Sequence, residues 1–519
     1  MKQTFIKGAM ILVVGGLITR ILGTIYRIFL SRFIGAEAIG LYQMAFPTLI
    51  MLITIVTAGL PIAVSKLVAE ADAKHNTYMG KRILYISLSI VVPISILISC
   101  LFYLLTPFIS SYLLTDERVY LTLIAIVPII PIISISSILR GYFQGKQNMI
   151  PTASSLIMES TFRMIFGMFL SLLLLPYGIE YASLGAMAGM VIGEFVGFLV
   201  LLTTYILNKE KRQLKKQLIT SSNKNILKKI SYLAIPVTTS QIFGSFAYFL
   251  EPSVVAHSLA LAGISTSIAT AQYGQLAGMA LLIISFPTVI TNSLSQSLIP
   301  AVSEANAKKD IRTIYKRLHQ TLKISYIIGI GASVYLFITA DLIAIVLFNM
   351  LEVSSLIKIL APFGLFLYLQ KPLASTLQGL DKAKESMKNS ISGSIIKTIA
   401  IFLLASKPEF GIDGVAMALN IGLVLVTFLH FRSIVKIIGY SIEIKPILKI
   451  SISALLIGYI SHYLINNTFH TLPNAINLSL TSFIYIIVYF YLLIFVREVK
   501  KQDIEKIPWL GSKFSKLIS

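Results

Sequence analysis

A single cysteine, Cys100, stands among 519 residues, and it lies inside an apolar run. No intrachain disulfide can form, which excludes a small scaffold stapled by disulfides. Charge is also scarce: Asp, Glu, Lys and Arg make up only 13% of the chain, and acids (22) are outnumbered two to one by Lys and Arg (44). The six histidines, at 75, 257, 319, 430, 462 and 470, are scattered and show no metal-ligand spacing. No Gly-x-x-x-x-Gly-Lys-Ser/Thr stretch occurs, which argues against nucleotide hydrolysis by a phosphate-binding loop. Neither a metal nor a cofactor is expected, and an energy-requiring process run by this chain would draw on an electrochemical gradient. What is present in excess is hydrophobicity, at 56% of residues with a mean hydropathy of +0.83. Soluble domains of this size do not have that composition, so the chain reads as an all-α integral membrane protein. The net charge of +22 would suggest nucleic acid in a soluble protein. Here the basic residues gather in short loops, as the positive-inside rule requires, and no nucleic-acid partner is read.

Fourteen apolar spans are long enough to cross a bilayer: 6–33, 41–69, 83–106, 119–142, 152–175, 182–207, 228–252, 272–302, 323–348, 354–379, 388–406, 412–436, 446–466 and 476–497. Met1-Lys2-Gln3 leads into the first without a small-residue cleavage site, so that span reads as a transmembrane helix and not a cleaved signal. Every second loop is basic, from Lys74, Lys81 and Arg82 through Lys209–Lys229 to the tail at Arg497. The intervening loops hold almost no Lys or Arg, Arg118 and Lys407 being the exceptions. This alternation predicts a multi-pass protein of the cytoplasmic membrane with both termini in the cytoplasm.

The chain also repeats itself. Phe46-Pro47-Thr48 returns as Phe286-Pro287-Thr288, and Pro61 with Ala63-Val64-Ser65 as Pro300-Ala301-Val302-Ser303. Glu70-Ala71-Asp72-Ala73-Lys74 returns as Glu304-Ala305-Asn306-Ala307-Lys308, Gln144-Gly145 as Gln378-Gly379, and Gly178-Ile179-Glu180 as Gly411-Ile412-Asp413. The separations run from 233 (Gly178 to Gly411) to 240 (Phe46 to Phe286), with the order preserved. The repeat unit is six helices. Six is even, so the two copies share one orientation and form a parallel repeat. The expected organisation is a six-helix lobe over 1–207, a basic cytoplasmic linker over 208–227, a second six-helix lobe over 228–436, two extra helices over 437–498 and a cytoplasmic tail over 499–519.

Ionisable residues inside apolar spans mark candidate sites, because charge at membrane depth is costly. Arg20 and Arg27 are seven residues apart in the first span, nearly two helical turns, and so project from almost the same side. Thr24 and Ser31 share that stripe. Guanidinium suits phosphate through paired hydrogen bonds at fixed charge, so the stripe points to an anionic cargo. Arg163 and Lys397 lie mid-span, 234 apart, at equivalent places in the two repeats. Glu159, one turn before Arg163, offers a local ion pair as the alternative explanation for it. Glu194 and Glu251 are candidate carriers of a proton or coupling ion, or ion-pair partners that hold helices together. Lys66, Arg140 and Lys371 lie near span ends and are expected to snorkel to the cytoplasmic surface. The outer loops are short, and the longest, about 253–271, has no acid, which argues against a membrane polymerase.

Gly59-Leu60-Pro61-Ile62-Ala63 followed by Ser65-Lys66-Leu67-Val68-Ala69-Glu70 resembles the second helix of the multidrug/oligosaccharidyl-lipid/polysaccharide exporter superfamily. Leu139–Met149 and Leu175–Ala182 are similar to the stage V sporulation protein B group of endospore-forming bacteria. The resemblance covers essentially the whole chain. It implies export of a polyprenyl-diphosphate-linked peptidoglycan precursor of the lipid II type, for spore cortex synthesis, with membrane lipid and the peptidoglycan synthesis machinery as partners. It also implies a cavity lined by first-helix arginines, where Arg20 matches the family pattern and Arg27 stands one position beyond the second arginine, with Tyr26 in that register. The two extra helices would form a lateral groove for the lipid tail. The alternatives are a cation-coupled multidrug exporter and an exporter of another polyprenyl-linked oligosaccharide.

Overall fold

The computed structural model describes residues 5–57, 59–74, 76–207 and 223–499. The linker as far as 222 and the tail from 500 lie outside the described residues. Within them the chain is helical, as a bilayer demands of a backbone that has no water to satisfy its polar groups.

Residues 1–279 with 398–415 make one compact unit, and 280–397 with 416–519 the other. The first contains α1 (Phe5–Thr57), α2 (Leu60–Ala73), α3 (Thr77–Phe108), α4 (Val119–Ile126), α5 (Ile129–Gly145), α6 (Ile150–Leu174), α7 (Ile179–Leu207), α8 (Asn223–Leu261) and α9 (Thr266–Tyr273). The second contains α10 (Leu281–Ser285), α11 (Thr288–Ala307), α12 (Ile311–Ile338), α13 (Ala340–Ile343) and α14 (Val353–Gly379). Most of α15 (Ala383–Ala405) and α16 (Gly411–Ile438) belongs to it as well, as do α17 (Ile444–Tyr463) and α18 (Asn474–Phe495).

The expected spans fall largely on helix, with turns inside 119–142 and 272–302. Among the described residues, twelve helical stretches are long and apolar enough to cross a membrane. The first of these runs from Met10 to Ala73 and holds two of the expected spans; 228–252, on α8, is not among the twelve. The long first run is broken at Gly35, whose φ of 82° and ψ of 173° interrupt the helix. A Cβ there would meet no neighbour, so the demand for glycine comes from the backbone angle itself.

Helix starts follow from local chemistry. Asn76 caps α3 by accepting from the Met79 N–H at 2.8 Å, and Asp310 caps α12 by accepting from Thr313 at 3.0 Å. These caps are 234 residues apart, the repeat interval. Packing in a membrane relies on small residues and interhelical hydrogen bonds, because lipid offers no hydrophobic drive. α7 presents Gly185, Gly189, Gly193 and Gly197, one per turn, to α6. A Cβ on Gly185 would lie 2.6 Å from the Leu170 carbonyl, and one on Gly193 would lie 2.6 Å from that of Glu159. In the second unit α17 and α18 pack on α12. Tyr485 and Tyr489 of α18 donate to the carbonyls of Gly331 (2.8 Å) and Ile327 (2.9 Å), and Tyr326 of α12 shares a hydrogen bond with Ser451 at 2.7 Å.

Candidate functional site: a buried charge network in the first unit

Arg20 and Arg27 sit on the proximal half of α1, each partly buried. Thr24 donates to the Arg20 carbonyl at 2.9 Å, and Ser31, fully buried, donates to Ile28. Both hydroxyls are satisfied by the helix itself, so the stripe presents two guanidinium groups with no competing polar partner among Thr24 and Ser31. The two charges act on one another.

Tyr26 explains the shifted position of Arg27. Its ring is 4% exposed, its hydroxyl donates to the Ala186 carbonyl at 3.2 Å, and it fills the space that a side chain at Gly167 would occupy. Residue 26 is thus a packing contact to α6 and α7, and the next position carries the cation.

Glu159, 5% exposed, lies at the centre of the network. Arg140 of α5 donates to its Oε2 at 2.8 Å, and Arg163 donates to its Oε1 at 3.1 Å. The local Glu159–Arg163 pair is therefore formed. The expectation for Arg140 is corrected: it does not snorkel, but turns inward and pairs with a buried acid. Lys66 and Lys371 are exposed. Glu194 of α7, also 5% exposed, lies within the electrostatic reach of the Glu159 carboxyl. Arg163 feels Tyr26 and Tyr42 of α1 as well as both acids. Glu251 of α8 is 8% exposed beside Tyr248 and Tyr273, and Tyr248 is in turn within the field of Arg27. Five of the six candidate residues thus lie in the first unit.

The sixth, Lys397 on α15, belongs to the second unit. Its stem lies over Gly422 of α16, where a Cβ would come within 3.0 Å of the Lys397 Cβ. Arg163 lies over Gly193 of α7 in the same way, with a contact of 2.8 Å. The two cations therefore occupy matching surroundings. Gly414, Ala418 and Gly422 repeat on α16 the one-per-turn small residues of α7. That Gly-x-x-x-Gly spacing is plain in the sequence and would have placed α6 against α7, with Glu159 and Glu194 at their contact.

Two further features surround these residues. Arg118, the exception among the basic loops, is neutralised: it binds Asp116 at 2.8 Å and Glu37 at 2.6 Å. Thr270 of α9 donates to Asp116 at 2.7 Å, and Ser267 donates to Glu37. Burial opposes ionisation of Asp116, but hydrogen bonds from Arg118 and Thr270 win and hold its carboxyl below the usual range. The Asp116 hydrogen bond likewise pushes the Arg118 guanidinium up, against burial. In the second unit an apolar cavity of ≈ 330 Å³ lies among α12, α14, α16 and α17, lined by Leu322, Tyr326, Phe366, Phe428, Phe431 and Ile450.

Membrane-length apolar helices with charge buried among them and an internal repeat are features of a membrane transporter. Comparison with known proteins agrees on the class. A family model described as polysaccharide biosynthesis protein matches residues 5–263, and one described as MatE matches residues 252–403. Stage V sporulation protein B of Bacillus subtilis (strain 168) is 40% identical over 511 residues, covering 98% of this chain and 99% of that protein. Lipid II flippase MurJ of the same organism is 24% identical over 480 residues, 88% of each chain. A solved structure titled "Lipid II flippase MurJ, inward closed conformation" has 17% identity and a TM-score of 0.72, with 93% of this chain and 98% of that one covered. The chain belongs to the stage V sporulation protein B family of the multidrug/oligosaccharidyl-lipid/polysaccharide exporter superfamily. It is a multi-pass membrane flippase, and its relatives are transporters, not catalysts.

Proposed function

We propose that this protein moves a lipid II-type peptidoglycan precursor outward across the cytoplasmic membrane by alternating access, for spore cortex synthesis. The observation that carries this reading is the stripe of Arg20 and Arg27 on α1, in a chain 40% identical to stage V sporulation protein B. A polyprenyl diphosphate needs fixed positive charge for its diphosphate and apolar surface for its tail. The arginines supply the first. The cavity among α12, α14, α16 and α17 supplies the second, with Lys323 and Glu443 at its polar edge.

In this reading the repeats over 1–207 and 228–436 are two lobes, and both termini face the cytoplasm. Arg20, Arg27, Arg163 and Lys397 are the groups that would bind the diphosphate. Glu194 and Glu251 are the groups through which a proton or cation would be coupled. The peptidoglycan synthesis machinery would receive the product. The MatE match over 252–403 favours one competing reading, a cation-coupled multidrug exporter. Purified protein in liposomes tests the choice. Accelerated translocation of lipid II, with no export of organic cations, is the expected result; the reverse pattern would overturn the proposal.

A further inference from the structure

Glu159 and Glu194 face each other across the α6–α7 contact. Glu159 has committed one oxygen to Arg140 and the other to Arg163. Glu194, next to Gly193 where α7 meets Glu159, lies within the electrostatic reach of that carboxyl, and its own Oε2 is enclosed without a hydrogen-bond partner. An ionised carboxyl only accepts hydrogen bonds, so contact between two carboxyls is attractive only when one of them carries a proton. Gly193 and Gly197 bring the backbone of α7 against Glu159: a Cβ at Gly193 would lie 2.6 Å from the Glu159 carbonyl, and one at Gly197 3.1 Å from the Glu159 Cβ.

The charge count then matters. With both acids ionised, two negative charges cancel Arg140 and Arg163. With one proton shared between the acids, the cluster carries one net positive charge. The titratable groups facing the pair are Arg140 from α5 and Arg163 from α6, with Tyr26 and Tyr42 of α1 acting electrostatically on Arg163 and Arg27 acting on Tyr26. α4 meets α7 through the uncharged pair Thr122–Ser183 at 2.8 Å.

We infer that Glu159 and Glu194 form a single proton site whose occupancy sets whether Arg163 is tied to Glu159 or available to an anionic diphosphate. This rests on the reading of Arg163 as part of the diphosphate site. The proton weakens the hold of Glu159 on Arg163 and adds the positive charge that the anion needs. Anion and proton therefore bind with positive cooperativity, and by linkage each raises the affinity for the other.

The test uses the full-length protein in lipid nanodiscs and a polyprenyl diphosphate sugar, whose esterified phosphates keep a fixed charge near neutral pH. Wild-type affinity should rise as pH falls, by up to about tenfold per pH unit for one linked proton. One proton should be taken up per anion bound as the pair titrates. Glu194→Gln keeps the shape and supplies a permanent hydrogen-bond donor, so its affinity should stay at the acid-form level and lose its pH dependence. Infrared spectra of the ligand-free protein should show a protonated-carboxyl band that disappears in Glu194→Gln. A pH-independent wild-type affinity, an unchanged pH slope in Glu194→Gln, or absence of that band would overturn the proton site. The band without anion binding at any pH would instead refute the diphosphate reading on which the linkage rests.

Discussion

At the scale of single residues, the fixed charge of Arg20 is the feature on which the proposed transport most depends. Its guanidinium offers a planar fork that an ammonium lacks, so Arg20→Lys and Arg20→Ala should separate geometry from charge. A hydrogen bond to a charged group contributes about 1.5–3 kcal/mol, which makes the expected loss in Arg20→Ala roughly ten- to a hundredfold in flipping rate. Arg20→Lys should retain an intermediate rate, and both proteins should reach the membrane in normal amount. Equal rates for the two variants would show that the fork is not used. Arg20, Arg27, Arg163, Glu194 and Glu251 were legible in the sequence because charge inside an apolar run is conspicuous. Their partners were not. Arg140 stood near a span end, where a surface position was the natural reading. Its partner is 19 residues away on the next helix, and only the antiparallel turn between α5 and α6 brings Glu159 within 2.8 Å.

Elements carry the second group of consequences. The break at Gly35 sends the distal half of α1 toward α9, where Gly40 and Gly274 allow the two backbones to touch. Directly beside this contact, Arg118 joins Asp116 and Glu37, and α9 contributes Thr270 and Ser267. The cluster fastens α1, the connection before α4 and α9 together, and on the proposed orientation it would lie at the outer face. Arg118→Ala leaves a buried Asp116 with only Thr270 and the backbone N–H of residue 118, without its countercharge, which should loosen this closure and increase labelling of an Ala36→Cys reporter by an impermeant reagent. The closure should also depend on acid in a defined direction. The Asp116 carboxyl is held below its unfolded value of about 3.9, so its contribution is complete above that value and is lost as pH falls through the lower folded value. Labelling should therefore stay constant from pH 7 to pH 5 and rise only in stronger acid. A rise already near pH 6 would contradict the assignment. The helices themselves were legible from apolar length. Joining the first two into one run with a break, and dividing others by short π-helical turns, depends on backbone angles that hydropathy does not encode.

For the whole molecule, the internal repeat is the organising fact. The sequence matches at Pro61 and Pro300 are extended by features visible only in the structure: helix caps at Asn76 and Asp310, and cations lying over glycine at Gly193 and Gly422. If Arg163 and Lys397 grip one diphosphate, truncating either to alanine should slow transport, and the double variant should lose less than the sum, with a coupling on the order of 1 kcal/mol. Full additivity would separate the two residues. Rescue of Glu159→Gln by a second change, Arg163→Gln, with Lys397→Ala silent, would assign Arg163 to the ion pair alone. The repeat could be read in the sequence because it survives in short motifs. The compact units could not, since they follow contacts and pass through α15 and α16 instead of ending at a loop. The most direct measurement is translocation of fluorescent lipid II in liposomes holding purified wild-type or Arg20→Ala protein at equal density. The account predicts rapid appearance of the lipid on the opposite leaflet with wild type and a rate near that of empty liposomes with Arg20→Ala. Equal rates for the two proteins, or a wild-type rate no faster than empty liposomes, would contradict it.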